Sequence, residues 1–197
     1  MKIYDISQEV FGCSVYPNDP SPEKNQITSI SNGDLYNLTA FSMCAHNGTH
    51  IDAPLHFLEK GNSIDKIPLE KTIGYSYVAE CKGDINAETV REIINKARLA
   101  CPDSAKRILI KGNAVITDEA AGAFAQEGIY LIATESQSVG PIDSPMAVHK
   151  ILLEKEIVLL EGVRLNDVSE GTYFLNAAPL NLGGCEGSPC RAILIDF

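Results

Sequence analysis

The chain has 197 residues, 45% of them hydrophobic, and a formal net charge of −10. That is enough to bury one sizeable core in a single domain spanning 1–197. The acidity, with no cluster of Lys and Arg, argues against nucleic acid as a partner. No run approaches the roughly 20 apolar residues of a membrane span, so no membrane partner is expected. The opening MKIYDISQEV lacks the apolar stretch of a secretory signal, so the expected location is cytoplasmic and the expected partners are small molecules.

Short extended runs come first. Lys2 to Ile6, Gln26 to Ser31, Leu35 to Cys44 and Tyr75 to Cys81 are rich in β-branched and aromatic residues, with Pro, Gly and Asn clusters such as YPNDPSP between them. From about residue 85, helical and extended patterns alternate. Ala87 to Leu99 sets Val90, Ile93, Ile94 and Ala97 on one stripe, with Asn86 as cap and Pro102 beyond the end. RILIK then reads as a buried strand. Thr117 to Gln126 predicts a second helix, with Asp118 and Glu119 in its first turn and Gly128 past its end. IYLIA follows as a strand. Ser144 and Pro145 form a cap and first-position pair for a helix to about Glu154, and IVLLE is the next strand. Thr172 to Ala178 and Arg191 to Phe197 are extended again.

This rhythm predicts an α/β fold with a mixed sheet. A β-rich N-terminal half packs on an α/β C-terminal half whose right-handed crossovers create a parallel segment. The six cysteines, Cys13, Cys44, Cys81, Cys101, Cys185 and Cys190, show neither zinc-ribbon nor CxxC spacing. They read as free thiols packed as small hydrophobes, with a Cys185 to Cys190 bridge as the alternative.

The densest chemistry lies in HNGTHIDAPLH, residues 46 to 56, which holds three of the four histidines. His46 and His50 have helical spacing, but Gly48 and Pro54 disfavour a helix. In an extended stretch His50 and Asp52 point the same way. Gly48 lets the chain fold back to bring in His46, and Pro54 stiffens the exit toward His56. Imidazole and carboxylate donors on such a loop suit zinc or manganese. Asp52 is a candidate bridge between two ions, and Thr49 a candidate orienting group behind a ligand. Glu161, at the end of the apolar strand IVLL, stands where α/β folds place ligands. A solvated strand end is the alternative reading. His149 lies on the helix predicted from 144, and its neighbours leave its role open.

These residues resemble the cyclase family of metal-dependent hydrolases. HNGTHIDAPLHF matches its signature HxGTHxDxPxHF; DIS at 5–7, VYPNDP at 15–20, HKILLEKEIVLLEGV and EGSPCRA resemble further family segments across nearly the whole chain. The resemblance implies a swivelling β/β/α architecture, two Zn²⁺ per subunit with Mn²⁺ as an alternative, and hydrolysis of a small-molecule amide. The amide is an arylformamide such as N-formylkynurenine, or else a cyclic amide of the isatin type. It assigns His46, His50 and Asp52 to the first ion, His56 and Glu161 to completion of the second site, and His149 to acid/base catalysis. It also implies a homo-oligomer, dimer or tetramer. Where the family often reads GTDSPSVD this chain has ATESQSVG at 133–140, and where TGW is frequent it has KGN, with no tryptophan anywhere. Tyr16, as an aromatic wall, and Glu135 and Ser136, in the altered loop, are the candidate substrate contacts. A metal or small-molecule binding protein without catalysis is the reading from a different class.

Overall fold

A computed structural model describes residues 1–197. The strands are β1 (Lys2–Asp5), β2 (Glu23–Thr28), β3 (Leu38–Ser42), β4 (His50–Asp52), β5 (Ile73–Glu80), β6 (Gly83–Ile85), β7 (Arg107–Lys111), β8 (Ala114–Ile116), β9 (Leu131–Thr134), β10 (Val158–Glu161), β11 (Gly171–Asn176), β12 (Gly187–Pro189) and β13 (Ile193–Asp196). The helices are α1 (Ala87–Ala100), α2 (Asp118–Phe124) and α3 (Met146–Leu153). Nine strands form one mixed sheet in the order β1-β13-β11-β5-β7-β9-β10-β4-β12. Within it β5, β7, β9 and β10 are parallel, and α1, α2 and α3 lie in the connections between them. The expected α/β architecture is therefore present, with both halves of the chain contributing strands to the same sheet.

The apolar runs are buried on both faces, which is why they lack polar alternation. Tyr77, Ala79, Ile108, Ile110, Ile132 and Leu159 pack into the core that contains the buried faces of the three helices. The residues between them, Val78, Leu109, Leu131, Ala133, Val158 and Leu160, enter a second core on the opposite face. The caps follow the expected chemistry: Asn86 Oδ1 accepts the Thr89 N–H at 3.0 Å, and Thr117 Oγ1 accepts the Ala120 N–H at 3.2 Å. The third helix departs from expectation at its start. Pro145, already in helical conformation, occupies the cap position, and Ser144 lies one residue outside.

β2 and β3 form a separate two-stranded hairpin. The chain beyond β2 turns at Ile30–Asn32 as a 3-10 segment, so the predicted run from Gln26 to Ser31 ends early. All six cysteines are free, so Cys185 and Cys190 are not bridged. No helix is long and apolar enough to cross a membrane.

β4 places the site. It inserts antiparallel between β10 and β12, pairing His50 with Glu161 and Pro189, and Asp52 with Leu159 and Gly187. Ile51, between them, is fully buried in the second core. An apolar plug on one face thus fixes two ligand-type side chains on the other.

Candidate metal centre

Four segments meet at the end of β10. The turn at 46–49 delivers His46, β4 delivers His50 and Asp52, the 3-10 turn Pro54–His56 delivers His56, and α3 delivers His149. Glu161 closes β10 itself, at the carboxyl end of a parallel strand. Gly48, at φ +66°, permits the reversal that turns His46 back over the strand.

Asp52 sits at the middle. Its Oδ1 lies 2.8 Å from His46 Nδ1 and 3.4 Å from His50 Nε2; its Oδ2 lies 3.6 Å from His149 Nε2 and 3.8 Å from His56 Nε2. Glu161 Oε2 is 3.3 Å from His50 Nε2, and Glu161 Oε1 is 3.2 Å from His149 Nε2 while accepting the Val139 N–H at 2.6 Å. Two donor groups result, His46–His50–Asp52 and Asp52–His149–Glu161, with the ligand atoms of each within 4.8 Å of one another. Asp52 belongs to both.

The second group differs from the sequence expectation, which drew its donors from His56 and Glu161 and left His149 to acid/base work. The fold puts His149 inside the group, its side chain 3% exposed, while His56 stacks on His46 at a centroid separation of 4.1 Å and is 28% exposed. The family resemblance had given that place to His56; α3 brings His149 closer to the carboxylates.

Tautomers are set from behind. His50 Nδ1–H donates to the Gly48 carbonyl at 3.1 Å, and His149 Nδ1–H to the Pro145 carbonyl at 2.8 Å. In the neutral ring each therefore presents its Nε2 lone pair to the carboxylates. Thr49 does not orient a ligand directly. Its hydroxyl donates to the Gly162 carbonyl and accepts the Gln8 N–H, tying the 46–52 segment to the end of β10.

Burial alone would lower the pKa of His50, but its bonds to Asp52 and Glu161 outweigh that and hold it up at about 10. His46 and His149 are likewise raised against burial, by Asp52 and Glu161 respectively. Asp52, despite burial, is held well below the carboxylate range by His46 and His50. His56 goes the other way, because burial dominates and pulls its pKa down.

The arrangement fits a divalent metal. Asp52 Oδ2 is buried with no hydrogen-bond partner, a costly state for a carboxylate oxygen unless a cation satisfies it. Imidazole and carboxylate donors, with no thiolate among them, match zinc or manganese chemistry.

A cavity of about 260 Å³ opens onto the cluster, with Tyr16, Asp19, Phe57, Gln137 and Ser138 in its wall. Tyr16, an expected contact, is there, its hydroxyl donating to the Ile142 carbonyl at 2.8 Å. Glu135 and Ser136 are not among the lining residues. The Glu135 carboxylate accepts the N–H groups of Gly112 and Leu165, and Ser136 Oγ accepts the Ser138 N–H. The altered loop faces the cavity through the next two residues instead. A larger cavity of about 590 Å³, lined in part by Phe11, Phe41 and Met43, contains none of the four histidines. The chemistry therefore converges on the smaller one.

Asp19, Gln137 and Glu186 were not singled out from the sequence. Glu186 lies in the EGSPCRA segment and its carboxylate reaches His46.

The chain is similar in sequence and in fold to known proteins. The model of the Cyclase family ("Putative cyclase") covers residues 4–141. A kynurenine formamidase of Salinibacter ruber is 34% identical over 214 aligned residues, covering 100% of this chain and 98% of that protein. Among solved structures, a predicted metal-dependent hydrolase from Bacillus stearothermophilus shares 27% identity at a TM-score of 0.79, covering 98% of this chain and 97% of that one. Isatin hydrolase A from Labrenzia aggregata shares the fold at a TM-score of 0.82 and 21% identity, covering 98% and 93%.

Proposed function

The chain belongs to the cyclase family, and from that premise we propose that it is a single-domain, metal-dependent arylformamidase that hydrolyses N-formylkynurenine to kynurenine and formate. The observation that carries this reading is the full-length similarity to a kynurenine formamidase, joined to two donor groups that share Asp52. We assign two Zn²⁺ per subunit, with Mn²⁺ as the alternative. One ion takes His46, His50 and Asp52 and the other takes Asp52, His149 and Glu161. Support comes from the two carboxylate oxygens of Asp52 facing different histidines.

Bound there, divalent ions supply Lewis-acid activation of water and of an amide carbonyl at neutral pH. His50 and His149 hold their Nε2 lone pairs in place through the Gly48 and Pro145 carbonyls. This pre-organisation avoids reorganisation during turnover. His56 takes the acid/base role. It lines the cavity, it is the most exposed of the four side chains, and burial keeps it neutral at neutral pH. A neutral His56 accepts the proton of the water that adds to the formyl carbon and returns it to the departing amine as the C–N bond breaks. Tyr16 and Phe57 offer apolar walls to an aromatic ring.

The test is an assay of metal-reconstituted protein against N-formylkynurenine, isatin and simple formanilides, with metal stoichiometry measured on the same sample. Turnover of N-formylkynurenine well above the other substrates, at two ions per chain, is expected. Preference for isatin moves the chain to the cyclic-amide branch. Absence of turnover with any amide leaves only binding of metal.

A further inference from the structure

His46 differs from the other two ligand histidines in how its ring is fixed. His50 and His149 each anchor Nδ1 on a backbone carbonyl and present Nε2. His46 is reversed: its Nδ1 faces Asp52 Oδ1 at 2.8 Å, and its Nε2 faces Glu186 Oε1 at 3.3 Å. Stacking on His56 sets the plane of the ring but does not decide which nitrogen carries the proton.

Residues 186 and 187 form the wall behind this ring. A Cβ on Gly187 would lie 2.8 Å from His46 Cε1, so only glycine lets β12 pass so close. The Glu186 carbonyl accepts the Ala53 N–H at 2.8 Å and anchors the segment independently of its side chain. The carboxylate is therefore free for a separate task.

Building on the proposed metal site, we infer that Glu186 is a positioning residue, whose carboxylate accepts the Nε2–H of His46 and so directs the Nδ1 lone pair at the cation shared with His50 and Asp52. A neutral imidazole has one N–H. Donation to Glu186 places it on Nε2 and leaves the Nδ1 lone pair 2.8 Å from Asp52 Oδ1, an arrangement that a cation held by both atoms makes favourable. With that cation bound, the opposite tautomer would aim Nδ1–H at the metal and an Nε2 lone pair at Glu186. A carboxylate behind a ligand histidine fixes its tautomer and raises its basicity, and loss of such a partner typically weakens metal affinity about 10- to 100-fold.

The experiment compares Glu186→Ala, Glu186→Gln and wild type as folded, metal-stripped chains titrated with Zn²⁺ against a chromophoric chelator. Proton exchange at His46 Nε2 is followed by ¹H–¹⁵N NMR of the zinc-loaded proteins. Glu186→Ala is expected to bind one zinc equivalent about 10- to 100-fold more weakly, with faster exchange of the His46 Nε2 proton. Glu186→Gln, whose amide oxygen still accepts, should recover part of both. Wild-type affinity and unchanged exchange in Glu186→Ala overturn the inference, as does an equal loss in both variants. Asp52→Asn separates the levels: if it keeps full zinc, the metal site itself fails, whereas if it loses zinc while Glu186→Ala does not, only the role of Glu186 falls.

Discussion

Replacing Asp52 with asparagine keeps the volume and removes the one charge common to both donor groups. The carboxylate is 1% exposed, so solvent cannot take its place. In the metal-free protein the protonated rings of His46 and His50 lose the charge that raises their pKa values. Breaking a buried ion pair from one side costs about 3–5 kcal/mol, because the partner is left uncompensated. For a domain of this size, each kcal/mol corresponds to roughly 2–4 °C in Tm, so the metal-stripped variant should melt roughly 6–20 °C below wild type. Both donor groups also fall from three donors to two, so bound zinc should drop from both sites rather than one. Denaturation of chelator-treated protein gives the first quantity and elemental analysis of reconstituted protein the second. A variant with wild-type melting when stripped, or with two ions when loaded, would refute the shared-carboxylate reasoning.

Other substitutions separate roles within the cluster. His56→Ala should retain metal while turnover falls about 10²- to 10⁴-fold, measured by steady-state kinetics beside metal content. His149→Ala should instead lose one of two ions, and full retention would return His149 to the acid/base role that the sequence expectation gave it. The hairpin of β2 and β3 exposes Ile27, Leu38 and Phe41, and an isolated two-stranded hairpin is marginal in water. The chain is therefore expected to self-associate, which light scattering coupled to gel filtration checks; a strictly monomeric mass contradicts it.

The local chemistry was legible where one segment carried the whole signal. Helices α1 and α2 announced themselves through an apolar stripe or a cap, and β7, β9 and β10 through apolar runs bounded by turns. His46, His50 and Asp52 were readable together because a short turn and a three-residue strand suffice to bring them together. β4 was legible only as an extended stretch and β12 not at all, since three residues are too few to show alternation. Their strand conformation comes from pairing with each other and with β10. The contact between His46 and Glu186 spans 140 positions and exists only because β12 lies beside β4. The place of His149 in the second donor group has the same origin. Pro145 stands at the cap of α3, and its carbonyl accepts both the backbone N–H and the Nδ1–H of His149, aiming that ring at Glu161 from a helix nearly a hundred residues downstream of the motif.

The charge balance of the site ties its protonation to its metal content. Without a cation, the carboxylates of Asp52, Glu161 and Glu186 face protons on His46, His50 and His149, all with raised pKa values. Stability from a raised histidine is fully present below its unfolded value of 6.5 and is lost as pH rises through its folded value, about 10 for His50. The stripped protein should therefore lose stability across that window. His56, lowered by burial, destabilises only below 6.5 and does not oppose the trend within it. Zinc must displace the same protons, so its affinity should rise over the same range as the competition weakens. Melting temperatures with and without saturating zinc should diverge as pH rises from 6.5, and calorimetric titrations in buffers of different ionisation enthalpy should show protons released on binding. Parallel melting curves with no proton release would mean that metal and protons do not share these nitrogens, and the ion would have to sit elsewhere.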